Sequence, residues 1–187
     1  MTSPDNPLSA NLWQGPRVRL TALTYSDTPT ISGWHNDLGM LRYFDAEAAR
    51  PRSEDDVSRW LDDVKKNPRT FVFGIRRLED DALIGMVSIE DVLWPHGTGW
   101  LSIMIGERTN WGQGYGTEVL RLVLDYAFRE LNLHRLQLTV FEYNARAIVL
   151  YERLGFRREG VYREFMQRDG RRYDMYLYGL LSREWQR

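Results

Sequence analysis

The spacing of hydrophobic residues changes several times along the chain, and each change predicts a new element. Alternation over 17–24, with apolar side chains at every second position, is typical of a half-buried strand. Helical spacing predicts a first helix over about 26–39. Ser53 and Asp56 resemble a capping box, so a second helix is expected to start there and end before Pro68.

The middle of the chain alternates short apolar runs with one long amphipathic segment. Runs at 71–75 and 83–89 predict a hairpin, and 101–105 predicts a fourth strand. Apolar positions then recur with helical period over 116–132, and a strand over 136–141 follows.

The last third of the chain predicts a short helix and a final hairpin. The helix begins at Asn144 and ends at Gly155, a glycine in a C-capping position. Strands over 156–166 and 173–181 flank Asp169-Gly170, a hairpin turn signal. The whole order of elements predicts one α+β domain spanning 1–187, with 1–15 as an irregular lead-in.

Composition restricts the function. The chain has 25 basic and 26 acidic residues and a net charge of −1, so no general attraction to nucleic acid or an anionic membrane is expected. It has no Cys, which excludes disulfides, thiolate metal ligands and an acyl-cysteine intermediate, and is typical of a cytoplasmic protein. The three His, at 35, 96 and 134, lack metal-ligand spacing, so no metal site is expected.

Gly112, Gly114 and Gly116 lie between a predicted strand and a predicted helix. Such a loop can direct several backbone N–H groups at one point, beside a helix N-terminus that favours anions, so it fits a phosphate or pyrophosphate. A plain turn is the alternative. A Walker loop needs Lys after its final glycine, but Thr117 and Glu118 follow Gly116, so that nucleotide-binding motif is excluded. The glycine spacing also differs from that of a dinucleotide-binding loop.

A second group of residues spans 144–156, where Tyr151 follows Asn144 by seven residues. Seven residues are about two helical turns, so the two side chains share one face of the helix. Taken singly, Asn144 is typical of an N-cap and Tyr151 of a packed aromatic. A glycine-rich loop some thirty residues earlier favours a functional interpretation of the pair.

These two segments give the chain a resemblance to the GNAT superfamily of acetyl-CoA-dependent N-acetyltransferases. Trp111 to Glu118 resembles its pyrophosphate loop, and 144–156 its asparagine-to-tyrosine helix with the following Gly-Phe. Further segments resemble the branch that contains ribosomal-protein N-terminal acetyltransferases and spermidine acetyltransferases: 34–37, 161–164, 169–171 and 180–185. The resemblance implies a mixed, mostly antiparallel sheet that splays between strands four and five, flanked by about four helices.

The resemblance also implies an activity, the direct transfer of acetyl from acetyl-CoA to a primary amine. The acceptor would be a protein N-terminal α-amine or a small amine such as a polyamine. A non-catalytic acyl-CoA-binding or regulatory protein is the alternative. The final hairpin and Trp185 are candidates for a homodimer surface.

The family pattern assigns Tyr151 as the general acid that protonates the departing thiolate. Glu90, Asp91 and Glu142 are candidate general bases, because each follows or ends a strand that should border the cleft. The residues expected to bind acetyl-CoA are Met104, Ile105, Trp111, Gly112, Gln113, Gly114, Gly116, Thr117, Asn144, Ala147 and Tyr151.

Overall fold

A computed structural model describes residues 11–186, so most of the predicted lead-in lies outside the described residues. The strands are β1 (Val18–Thr21), β2 (Phe71–Arg77), β3 (Leu83–Leu93), β4 (Thr98–Ile105), β5 (Arg135–Phe141), β6 (Arg157–Arg168) and β7 (Arg171–Leu181). The helices are α1 (Thr28–Trp34), α2 (Leu38–Phe44), α3 (Glu54–Lys66), α4 (Tyr115–Asp125) and α5 (Ala145–Arg153).

The seven strands form one sheet in the order β1-β2-β3-β4-β5-β7-β6. Every neighbouring pair is antiparallel except β4 and β5, which run parallel. These two pair only where 98–100 meets 135–137. Beyond that point β4 stays paired with β3 as far as Ile105, and β5 stays paired with β7 as far as Phe141. The two halves of the sheet therefore separate between strands four and five, which confirms the expected splay.

Helices cover both faces of the sheet. On β3, Val87 belongs to the cluster that contains the apolar face of α4, whereas its neighbour Met86 belongs to the cluster of α1, α2 and α3. Successive strand residues point to opposite faces, so the strand is buried on both sides. Within residues 11–186 no helix is long and apolar enough to cross a bilayer.

Local signals in the sequence are confirmed at several element ends. The Oγ of Ser53 accepts a hydrogen bond from Asp56 N at 3.2 Å, and the Asp56 carboxylate accepts one from Ser53 N at 3.0 Å, which completes the capping box of α3. Asp169 and Gly170 both have left-handed φ angles, 50° and 75°, as a type I′ hairpin turn requires. Helix α4 continues through a π-helical turn over 126–130 and ends beside Asn132, as expected.

The main departure is α2, which raises the number of helices from about four to five. Asp37 and Gly39 suggested the end of the first helix. Instead, the Asp37 carboxylate accepts a hydrogen bond from Met40 N at 3.0 Å and caps a new helix. Asp is favoured at both turns and N-caps, so the same residue type fits either structure.

Gly106, directly after β4, provides a stability prediction. A Cβ at this position would lie 2.1 Å from Cε2 of the buried Trp34 ring. We expect Gly106→Ala to lower the free energy of unfolding by about 1–3 kcal/mol, since inserting an atom into a packed site forces neighbours to move. Urea unfolding measures the change. Gly33→Ala, in α1, is the matched control, because a Cβ at Gly33 would meet no atom outside its own helix within 4 Å. Since Ala favours the helix over Gly, this variant should be as stable as the wild type or more stable. Equal stability of Gly106→Ala and the wild type would contradict the prediction.

Candidate active site

The glycine-rich loop has the backbone geometry of an anion-binding turn. Gly112 and Gly114 adopt φ angles of 76° and 85°, a left-handed conformation that residues with a Cβ rarely adopt. Gly114 is the N-cap of α4, and no side chain caps that terminus. The first N–H groups of an uncapped eleven-residue helix are therefore available to an anion. Gly116 serves packing, because a Cβ there would lie 3.2 Å from the Leu150 side chain of α5.

Trp111 fixes the start of this loop. Its indole Nε1 donates a hydrogen bond to the carbonyl of Ile105 at 2.8 Å, and its ring meets the edge of Tyr43 at 5.9 Å between centroids. The loop is thereby tied to the end of β4. The Ile105 carbonyl therefore accepts one hydrogen bond from within the protein, and its expected contact with pantetheine stays a prediction.

The opening between β4 and β5 forms a cleft of about 570 Å³. One wall consists of residues 101–103 and the other of residues 139–141, with side chains of α5 at one end. The α5 residues that line it include Asn144, Ala147 and Tyr151, so the structure brings these three predicted residues together at the splay. Met104 and Ile105 do not line this cleft, although Met104 lines the neighbouring pocket.

Asn144 and Tyr151 hold different positions in the cleft. Asn144 caps α5, since its Oδ1 accepts a hydrogen bond from Ala147 N at 3.3 Å. Tyr151 is 7% exposed and packs against Phe156. Burial raises the pKa of the Tyr151 phenol to about 12, because a phenolate would lose most of its hydration. The phenol therefore keeps its proton at neutral pH and can donate it.

A second pocket, of about 270 Å³, adjoins the cleft. The two cavities share the four lining residues Phe44, Asp45, Glu90 and Ser102. The second pocket also has Glu47, Arg52 and His35 in its wall. Three carboxylates and one guanidinium thus surround a small space that opens onto the splay. We call it the acidic pocket.

The candidate bases occupy different places. Glu90 lines both cavities and accepts a hydrogen bond from the Oγ of Ser88 at 2.5 Å. Asp91 lines the cleft alone. Glu142 lines neither cavity, and its N–H donates to the carbonyl of Asp174 at 3.1 Å. Of the three, only Glu90 lies where the cleft and the acidic pocket meet, a place we call the junction.

His35 is the titratable imidazole of the acidic pocket. Burial, followed by the nearby positive charge of Arg52, lowers the pKa of His35, while Asp45 opposes the shift. At neutral pH the imidazole is therefore uncharged, and it does not offset the carboxylates around it. Within residues 11–186, no group of three or more Asp, Glu or His is arranged to hold a metal ion.

Sequence reasoning missed Asp45, Glu47 and Arg52. They lie between α2 and α3 in a segment without a motif or a hydrophobic period. Asp45 and Glu47 are held by Arg168 at the end of β6, whose Nη2 donates to the carbonyls of Asp45 at 3.0 Å and Glu47 at 3.2 Å. A contact across more than a hundred residues leaves no local sequence signal.

The two hydrogen bonds that Arg168 donates to the Asp45 and Glu47 carbonyls, which we call the clamp, give a second prediction. On the hypothesis that the acidic pocket receives the amine acceptor implied by the resemblance, Arg168→Met keeps an unbranched apolar stem but removes both donors. It is then expected to raise the KM for the acceptor about threefold to tenfold, since two backbone hydrogen bonds are lost. The affinity for acetyl-CoA, measured by calorimetry, should not change. Arg171→Met is the matched control, because Arg171 lies on the same hairpin, is exposed and packs over Tyr173. An unchanged KM in Arg168→Met would contradict the role of the clamp.

Comparison with known proteins identifies the family. Residues 17–157 match the acetyltransferase (GNAT) domain. The chain belongs to the GNAT family of acetyltransferases. It is therefore an acetyl-CoA-dependent N-acetyltransferase, in agreement with the loop, the splay and the Asn144–Tyr151 helix described above.

Relatives of this GNAT chain support the branch suggested by the sequence. An uncharacterized N-acetyltransferase, p20 of Bacillus licheniformis, is 26% identical over 90% of this chain and 95% of its own length. The ribosomal protein uS5-alanine N-acetyltransferase of Escherichia coli is 26% identical over 82% of this chain and 69% of its own length. A crystal structure of spermidine N-acetyltransferase from Vibrio cholerae, in complex with CoA and spermine, superposes with a TM-score of 0.83 at 26% identity, covering 91% of this chain and 98% of that one.

Proposed function

We propose that this GNAT enzyme acetylates a compact, positively charged primary amine of the polyamine type. The single observation that carries the proposal is the acidic pocket, in which Asp45, Glu47 and Glu90 adjoin the cleft at the splay. An ammonium group is stabilised by nearby carboxylates, and walls of one predominant charge concentrate ligands of the opposite charge. Arg52 is the opposing cation, so the pocket keeps an excess of negative charge while His35 is neutral.

The donor in this proposal is acetyl-CoA, bound between the glycine-rich loop and the cleft. The uncapped N-terminus of α4 and the left-handed Gly112 and Gly114 fit its pyrophosphate. The cleft, of about 570 Å³, fits the pantetheine arm, with its thioester near the residues shared with the acidic pocket. CoA in the related spermidine acetyltransferase complex supports this assignment.

The reaction in this arrangement is a direct displacement. The bound ammonium first loses one proton, which frees the lone pair of the nitrogen. The neutral nitrogen then attacks the thioester carbonyl and the C–S bond breaks; the nitrogen releases its second proton to solvent, and the thiolate gains one. We assign removal of the first proton to Glu90, directly or through one water, and delivery of a proton to the sulfur to Tyr151. Their separate placement, at the junction and on α5, fits one group that accepts a proton and another that donates one.

A matched set of acceptors tests the proposal. Thiol release from acetyl-CoA should be fastest with linear polyamines such as spermidine, slower with monoamines of similar length and slowest with peptides that carry a neutral N-terminal residue. Mass spectrometry should find the acetyl group on a primary amine. A higher kcat/KM for the peptides would overturn the polyamine assignment and favour the protein N-terminus, the acceptor type of the Escherichia coli relative.

A further inference from the structure

Arg146, in the first turn of α5, faces the beginning of the glycine-rich loop. Its guanidinium lies 4.6 Å from the centroid of the Trp111 ring. The Trp111 ring is itself held by the Ile105 carbonyl and the edge of Tyr43. An arginine on a fixed aromatic platform is positioned by its flat face, and the N–H groups at its edge stay available for an anion.

The other arginines around the loop already have carboxylate partners. Arg17 pairs with Glu118 at 3.1 Å and donates to the Gln113 carbonyl at 2.9 Å. Arg77 pairs with Asp80 at 2.6 Å, and Arg108 pairs with Asp37. Among the described residues, by contrast, the guanidinium of Arg146 has no hydrogen bond or ion pair. It is exposed. The loop therefore has one unneutralised cation on its α5 side.

We propose that Arg146 binds a phosphate group of CoA at the mouth of the loop. A guanidinium recognises phosphate through two parallel charge-assisted hydrogen bonds, which its position over Trp111 leaves free to form. CoA has two sources of this chemistry, the pyrophosphate and the 3′-phosphate of its ribose. The inference rests on the proposed function in one respect, that acetyl-CoA occupies the loop and cleft.

Calorimetric binding of acetyl-CoA and of acetyl-dephospho-CoA, which lacks the 3′-phosphate, tests this assignment without depending on turnover. We expect Arg146→Gln to weaken acetyl-CoA binding about tenfold, as for the loss of charged hydrogen bonds. Loss with acetyl-CoA alone would support contact with the 3′-phosphate, and equal loss with both ligands would support contact with the pyrophosphate. Arg146→Lys keeps the positive charge but not the paired N–H donors of the guanidinium, so its affinity for acetyl-CoA should lie between those of Arg146→Gln and the wild type.

Arg153→Gln is the matched control, because Arg153 is an exposed arginine about 10 Å further along the axis of the same helix. It should bind both ligands as the wild type does. Wild-type affinity of Arg146→Gln for both ligands would overturn the inference and leave the proposed function intact. Failure of the wild-type protein to bind acetyl-CoA would instead overturn the donor site on which the inference rests.

Discussion

Replacement of Glu90 by Gln is expected to lower kcat/KM for the amine about a hundredfold at pH 7, the size of effect typical for loss of a general base. Gln has nearly the same shape and can still accept the hydrogen bond from Ser88 Oγ, so the change removes the proton acceptor with little change in packing. Glu90 is the carboxylate that borders both the cleft and the acidic pocket. Steady-state thiol release with saturating acetyl-CoA measures the effect.

The pH dependence separates a base from a carboxylate that only attracts the amine. A free alkylamine has a pKa of about 10.4, so the fraction that is already deprotonated increases roughly tenfold for each pH unit below that value. The ratio of the wild-type kcat/KM to that of Glu90→Gln should therefore decrease between pH 7 and pH 9.5. Glu142→Gln is the matched control, because Glu142 lines neither cavity, and we expect it to stay within about threefold of the wild type. We expect the same of Asp91→Asn, since Asp91 lines the cleft but not the acidic pocket. A larger loss in either control would transfer the role of base to that residue.

Replacement of Tyr151 by Phe is expected to lower kcat at least tenfold, with little change in the affinity for acetyl-CoA. The phenol is buried at the end of the cleft, and burial raises its pKa to about 12. Since this pKa lies above the ordinary phenol value, the protonated form persists as the pH rises. At every pH up to about 11, kcat should therefore show no decrease caused by ionisation of Tyr151.

Tyr178→Phe is the matched control for the loss of a buried hydroxyl. Tyr178 is 2% exposed, its pKa is also raised to about 12, and its hydroxyl donates to Glu152 at 2.8 Å. It does not line the cleft, so Tyr178→Phe should affect stability and leave kcat near the wild-type value. Unchanged turnover in Tyr151→Phe would remove Tyr151 from the mechanism.

The sequence predicted the parts of this fold that depend on local chemistry. Strand alternation, helical period, the Ser53–Asp56 capping box and the Asp169-Gly170 turn each involve residues a few positions apart. Their signals can therefore be detected without knowledge of the tertiary structure. The loop geometry belongs to this group, since the left-handed φ angles of Gly112 and Gly114 fit a turn that needs glycine.

The acceptor side of the site depends on long-range packing. Asp45 and Glu47 reach the acidic pocket because Arg168 binds their carbonyls from the far end of the chain. In the sequence Glu90 and Glu142 both follow predicted strands, but in the structure Glu90 lies within β3, paired with Trp100, while Glu142 follows β5. Only the tertiary structure places Glu90 at the junction and Glu142 away from it. The homodimer and the cytoplasmic location stay predictions.

The central claim is that the acetyl group passes directly from acetyl-CoA in the cleft to an amine in the adjoining acidic pocket. Single turnover with acetyl-labelled acetyl-CoA tests it most directly. Enzyme in excess over labelled acetyl-CoA should keep the thioester intact without an acceptor and should leave no label on the protein. On addition of spermidine, all of the label should pass to the amine at the rate of thiol release. Label that remains covalently attached to the protein after denaturation, or a bound thioester that no amine can discharge, would contradict the account.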